Sequence, residues 1–277
     1  MTPVLLTSPQ RTSTTALLAE AAARRGMKVR AVPGPALPEG LAGRSVHWYG
    51  GPYAADRVAD RLGLALLEPP DDWLTRLPHE FTGRRIERMT LAGARTARGP
   101  VFVKPPSDKS FPAAVYADGS RLPQGTDATT VLVSDVVAFA AEYRLFLLDG
   151  RIAAASRYAV HGRLDAAPLA DDPCEGDVRR FARRLLDVAG AALPSAVTVD
   201  VGLLADDTGG TGGGTRWAAV EANMAWFSHS YACEPDAVLD VVLRATGPRA
   251  RVTPRDRPFL RAPAGPSTDR WTAGSTG

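Results

Sequence analysis

The sequence predicts an α/β protein, with a small parallel α/β unit first and a larger region of longer, hairpin-linked strands after it. Three observations lead there. Short apolar strands alternate with helical patterns from residue 1 to about 70. From Gly99 onward the strands lengthen and become richer in β-branched residues. The chain has 277 residues, 45% of them apolar, which is enough for one large domain or two small ones.

The elements follow in order. Residues 4–6 read as a strand, then a Thr/Ser-rich turn leads into a helix over 13–25 that Gly26 stops. Strands follow at 28–32 and 45–49, a helix at 53–62 ended by Gly63, and a strand at 64–67. Residues 71–97 read as helical in two pieces split near Pro78. The VFVK stretch at 101–104 is a strand with 113–117 as its hairpin partner, and 131–133 is a third strand. Residues 143–148 and 152–158 form a hairpin about Asp149–Gly150. An amphipathic helix over 176–192 carries Val178, Phe181, Leu185, Leu186 and Ala189 on one stripe, with Asp177 as candidate N-cap. Strands at 198–204 and 217–223 flank ADDTGGTGGGTR, a loop without packing residues that should be mobile at its tip. A last helix starts at Pro235 and runs to about Thr246. The expected organisation is a domain over 1–75, a second over 76–246, and a largely disordered tail over 247–277, with 262–277 wholly so.

Composition excludes several functions. The net charge is +3, but 33 basic residues are nearly balanced by 30 acids, and aromatics are only 7%, so no nucleic-acid partner is expected. No apolar run reaches the ~18 residues of a membrane span, and MTPVLLTSPQR lacks the features of a secretory signal. Cys174 and Cys233 cannot frame a disulfide scaffold. A soluble, cytoplasmic protein is expected. GxGxxG, P-loop and G-x-S-x-G patterns are missing, and His47, His79, His161 and His229 lack metal-ligand spacing.

Within the basic count lies a sharper signal. Lysine occurs only at Lys28, Lys104 and Lys109, and two of the three sit five apart in VFVKPPSDKSF. A chain that has replaced lysine almost everywhere keeps it where a compact ammonium is needed, as at a phosphate site. Asp200 and Glu221 each stand in the middle of an apolar strand, where a carboxylate is costly without compensation. Alternation puts Glu221 and Asn223 on one face, and an antiparallel pairing lets Asp200 join them. Such a set suits Mg²⁺; on spacing alone, both acids facing solvent is equally compatible. Arg144 shares a face with Phe146 and requires a partner, either Glu142 or a ligand phosphate.

The order of VFVKP, EYRLF, TVDVGLL and VEANMAW resembles the ATP-grasp superfamily of carboxylate–amine ligases over residues 80–245. The resemblance implies a small α/β domain preceding a two-lobed ATP-grasp domain, with a hinge near 134–138. It implies ATP and Mg²⁺ as cofactors and small-molecule or peptide substrates bearing a carboxylate and an amine, joined as an amide through an acyl phosphate. The alternatives are a kinase on the same scaffold or a non-catalytic nucleotide-binding module. By resemblance, Lys104 contacts the α- and β-phosphates, and Lys109 lies in the loop that covers them. Asp135 and Val137 lie against adenine, and Glu142 reaches the ribose. Arg144 stands near the transferred phosphoryl group, and Asp200, Glu221 and Asn223 ligate magnesium. Trp48, Tyr49, Trp226 and His229 are candidates for the substrate pocket.

Overall fold

The computed structural model describes residues 2–34, 36–106, 111–205 and 216–262. The amino-terminal unit contains β1 (Val4–Thr7), α1 (Ser13–Arg24), β2 (Lys28–Ala31), β3 (Val46–Tyr49), α2 (Pro52–Leu62) and β4 (Leu64–Leu66). Its sheet is three-stranded and parallel, in the order β2-β1-β3. Thr12 caps α1 by accepting the Thr15 N–H. Proline opens α2, and Gly63, with φ 61°, ends it. β4 stays out of the parallel sheet and pairs antiparallel with residues Thr246–Pro248 instead.

The stretch expected to be helical contains a 3-10 turn at Leu74–Arg76 and the short helices α3 (His79–Thr82) and α4 (Leu91–Ala94), with the strand β5 (Ile86–Thr90) between the two helices. Helices of one turn have little stability of their own. Here ladder pairing with a neighbouring strand and the half-burial of Ile86 and Met89 against the two cores outweigh local helical preference. β6 (Val101–Lys104), β7 (Ala114–Tyr116) and β8 (Thr130–Ser134) complete an antiparallel sheet in the order β5-β8-β6-β7. Leu91, Ala94, Val103, Leu122 and Val131 form its core.

A second antiparallel sheet, β11-β10-β9-β12-β13, contains β9 (Phe139–Leu148), β10 (Arg151–Val160), β11 (Arg163–Pro168), β12 (Ala196–Leu204) and β13 (Trp217–Asn223). The Asp149–Gly150 turn has φ 49° and 76°, and His161–Gly162 repeats it with 46° and 71°, creating the unexpected strand β11. Positive φ at both positions matches the twist of the hairpins they close. α5 (Glu175–Ala189) covers one face of this sheet, burying Val178, Phe181, Ala182 and Leu185 against Tyr143, Leu145, Val199 and Val201. Asp177 lies in its first turn rather than at the N-cap, and Asp172 accepts the Cys174 N–H just before the helix.

α6 (Pro235–Ala245) packs Val238, Leu239, Val241 and Val242 into the core of the amino-terminal unit, together with Phe146 and Ala196 from the opposite face of the large sheet. Residues 247–262 do not form the expected loose tail. β14 (Thr246–Pro248) pairs with β4, and His47 donates from Nδ1 to the Thr246 carbonyl at 2.6 Å. Buried Asp256 accepts from Ser195 N–H and Oγ, both at 2.7 Å. Arg261 bonds Asp56 at 2.6 Å and Glu68 at 2.8 Å. A Pro/Arg-rich composition hid these tertiary anchors. The Gly-rich loop tip at 206–215 and the end of the tail at 263–277 lie outside the described residues. Among the described residues no helix is long and apolar enough to cross a membrane.

Candidate active site

The face of the large sheet opposite α5 is divided. Towards the amino-terminal unit it is apolar, through Phe146, Ala154 and Ala196. One rung away it is polar. The register aligns Ser156, Arg144, Asp200 and Glu221 across β10, β9, β12 and β13. Period-two alternation therefore carries all four side chains to the same side. The next rung sets Asn223 opposite Thr198.

Asp200 is 1% exposed and accepts two bonds from Arg144, Nε at 2.8 Å and Nη2 at 2.6 Å. This side-by-side geometry is the strong form of an arginine–carboxylate pair. Burial pushes the Asp200 carboxyl up while Arg144 opposes the shift. Burial also disfavours charge on Arg144, but Asp200 outweighs it and holds the guanidinium above its ordinary pKa. The partner of Arg144 is thus Asp200, not Glu142. Glu142 instead accepts from Tyr158 OH at 2.8 Å. Burial raises its pKa, against the pull of that hydrogen bond.

Lys104 comes from the other sheet. Phe102 and Lys104 face away from Val103, whose side chain is in the core of its lobe. Lys104 Nζ meets Glu221 Oε2 at 2.7 Å, joining the two lobes, and Asn223 Nδ2 donates to Glu221 Oε1 at 2.7 Å. Burial raises the Glu221 carboxyl, but Lys104 and Asn223 outweigh it and bring it down to about 2. A small cavity of about 20 Å³ lies beside this pair, lined by Glu68, Trp73, Leu132 and Asn223 among others.

The fold thus brings Lys104, Arg144, Glu142, Asp200, Glu221 and Asn223 into one neighbourhood. Lys109 lies outside the described residues. Asp135 sits where the chain crosses between the sheets, but its carboxylate accepts the Arg85 N–H at 2.9 Å and its own N–H donates to the Arg85 carbonyl at 3.1 Å. That ties it to the start of β5. Val137 is half-buried on the same crossing. Trp48 and Trp226 are fully buried core residues whose indoles bond backbone carbonyls, so neither lines a substrate pocket. Tyr49 is likewise buried, with its OH on the Ser228 carbonyl at 3.0 Å, while His229 is exposed. Burial pushes the Cys233 thiol to about 12, consistent with an inert cysteine.

Two aromatic residues escaped sequence reading. Tyr158 and Tyr231 stack at 5.0 Å, and the Arg144 guanidinium lies over both rings. Tyr158 is the extra residue of a bulge in β10, and Tyr231 sits in a loop. Neither position follows from periodicity.

Asp200, Glu221 and Asn223 offer two carboxylates and an amide, all hard-oxygen groups of the kind Mg²⁺ takes. Among the described residues no three His, Cys, Asp or Glu side chains cluster as a ready metal cage. Thr198 Oγ1, opposite Asn223, is buried without a hydrogen-bond partner among the described residues. The donor set therefore fits the ion in chemistry, provided the carboxylates exchange their present ammonium and guanidinium partners for it.

A family model described as an ATP-grasp domain matches residues 81–241. No curated protein sequence matches the chain. Among solved structures, a RimK-domain ATP-grasp protein from Sphaerobacter thermophilus is similar with TM-score 0.50 and 18% identity, over 87% of this chain and 99% of that one. N5-carboxyaminoimidazole synthase from Aspergillus clavatus, in complex with ADP and 5-aminoimidazole ribonucleotide, is similar with TM-score 0.51 and 14% identity, over 87% and 77%. At these identities the likeness is one of fold.

Proposed function

The chain belongs to the ATP-grasp domain family, and we propose that it is an ATP- and Mg²⁺-dependent ligase that joins a carboxylate to an amine. The observation that carries this reading is the meeting of Lys104 from one lobe with the Asp200–Glu221–Asn223 set and Arg144 on the other.

The pairing already present is suited to an exchange. Lys104 and Arg144 neutralise Glu221 and Asp200. Were phosphate oxygens to take over the two cations, the carboxylates would be free for a metal, and neither set would be left buried and unpaired. Asp200, Glu221 and Asn223 would hold Mg²⁺, which would supply charge neutralisation for the phosphates. Lys104 would hold phosphate oxygens as a point charge, and Arg144 the group being transferred. The substrate carboxylate attacks the γ-phosphorus and the bond to the bridging oxygen breaks, releasing ADP. The amine nitrogen then attacks the acyl carbon, phosphate leaves, and the amine gives up a proton. No protein nucleophile is needed, and the chain's part is positioning and electrostatics.

The test is a screen of pooled carboxylates and amines for ADP release, followed by the mass of the product. ADP with an amide is expected. AMP release would overturn acyl-phosphate chemistry, and a phosphorylated product that forms without amine would make the protein a kinase. In the same assay Lys104→Ala should lower turnover by about 100-fold or more while the far-UV circular dichroism is unchanged.

A further inference from the structure

We propose that Tyr231 is a positioning residue for Arg144: its ring, stacked on Tyr158, holds the guanidinium in place independently of Asp200. The consequence for turnover rests on the ligase reading; the placement of Arg144 does not.

Tyr231 has φ 48°, in the left-handed region that bulky side chains rarely adopt. Such a conformation persists only where the surroundings over-determine it, and here they do. Tyr49 OH donates to the Ser228 carbonyl at 3.0 Å, and Ser228 Oγ donates to the Met224 carbonyl at 2.9 Å. The Ser230 N–H donates to Thr14 Oγ1 at 2.9 Å, and the Cys233 N–H to the Ser230 carbonyl at 2.9 Å. The loop is thereby pinned to α1 and β3, and it aims the Tyr231 ring at the large sheet. Tyr158 meets it at 5.0 Å with the planes 13° apart. Tyr158 is braced in turn by its bond to Glu142 at 2.8 Å.

Arg144 Cζ lies 5.1 Å from the Tyr231 ring centre and 5.6 Å from that of Tyr158. Its Nη1 also donates to the His229 carbonyl at 3.3 Å. Asp200 occupies Nε and Nη2 in the guanidinium plane. A carboxylate or phosphate approaches a guanidinium in that plane, whereas aromatic faces attract it from above. If Asp200 turns to a metal ion, the two in-plane bonds are lost and the rings remain. They fix the orientation without competing with the incoming anion.

The experiment compares Tyr231→Ala, Tyr231→Phe and Tyr231→Gly with the wild type. In ¹⁵N-arginine-labelled protein the Arg144 Nε–H resonance, assigned by its loss in Arg144→Lys, should be shifted upfield by the rings. It should stay sharp and in place in Tyr231→Phe. In Tyr231→Ala it should lose the part of the shift due to Tyr231 and also broaden and exchange faster with water, as a guanidinium released from its position does and the loss of a ring current alone does not. In the ADP-release assay Tyr231→Ala should lose about 10- to 100-fold in kcat with KM for ATP changed by less than about threefold, and Tyr231→Phe should rescue it. Tyr231→Gly, which relieves the strained φ, should be as slow as Tyr231→Ala with an equal or higher melting temperature. An unmoved Arg144 resonance, wild-type kcat in Tyr231→Ala, or a Tyr231→Phe as slow as Tyr231→Ala would each overturn the proposal. A wild type that releases no ADP would sink the ligase reading, and the resonance would still decide the role of Tyr231.

Discussion

Glu221 has an environment that departs from what its apolar strand context suggests. Its carboxyl sits at about 2 rather than the ordinary 4.5, because Lys104 and Asn223 overcome the burial that would raise it. A carboxyl depressed on folding adds stability that is complete above its ordinary pKa and disappears as pH falls from about 4.5 to about 2. With the side chain 31% exposed, the contribution is discounted to on the order of 1–2 kcal/mol. Urea unfolding at pH 7 and pH 3 should therefore show a smaller acid-induced loss in Glu221→Gln than in wild type, and parallel losses would refute the assignment. At this scale the sequence was informative where chemistry conflicts with surroundings: acids in apolar strands and lysines in an arginine-rich chain. It could not choose the partner of Arg144, because Asp200 is 56 residues away and meets it only through strand register.

At the scale of elements, β12 shows how register and packing are set together. Alternate residues Ala196, Thr198, Asp200 and Gly202 share the site face, and a Cβ at Gly202 would lie 2.4 Å from the Phe139 ring. Glycine there lets Phe139 cross the sheet beside the site. Gly202→Ala should cost about 1–3 kcal/mol by overpacking, measured as the urea midpoint at unchanged slope; an unaffected midpoint would mean the ring moves freely. The hairpin at Asp149–Gly150 and the helices α2, α5 and α6 were legible because turn chemistry and amphipathic stripes are local. Strand β5 was not. Its residues read as helix until β8 supplies a ladder, and β11 appears because His161–Gly162 takes up a turn that histidine seldom signals.

For the whole molecule, the segment after α6 ties the amino-terminal unit, the stretch just after β4 and the large sheet together. Glu68 N–H donates to the Phe259 carbonyl at 3.0 Å, Arg261 N–H to the Leu66 carbonyl at 2.8 Å, and Asp256 holds Ser195. Ending the chain after Ala245 should lower the melting temperature by about 5–10 °C, from roughly 2–3 kcal/mol of lost buried bonds. Equal melting temperatures would mean the segment is not a clasp. The sequence by itself determined the α/β class, the order of most strands and helices, and which charged residues stand out from their surroundings, since these depend on patterns within a few residues. The tertiary structure alone decided that Arg144 pairs with Asp200, that Lys104 crosses between lobes to Glu221, and that residues 246–261 fold back onto the start of the chain. Those contacts join positions far apart in sequence, and their free energy arises only once the sheets have aligned them.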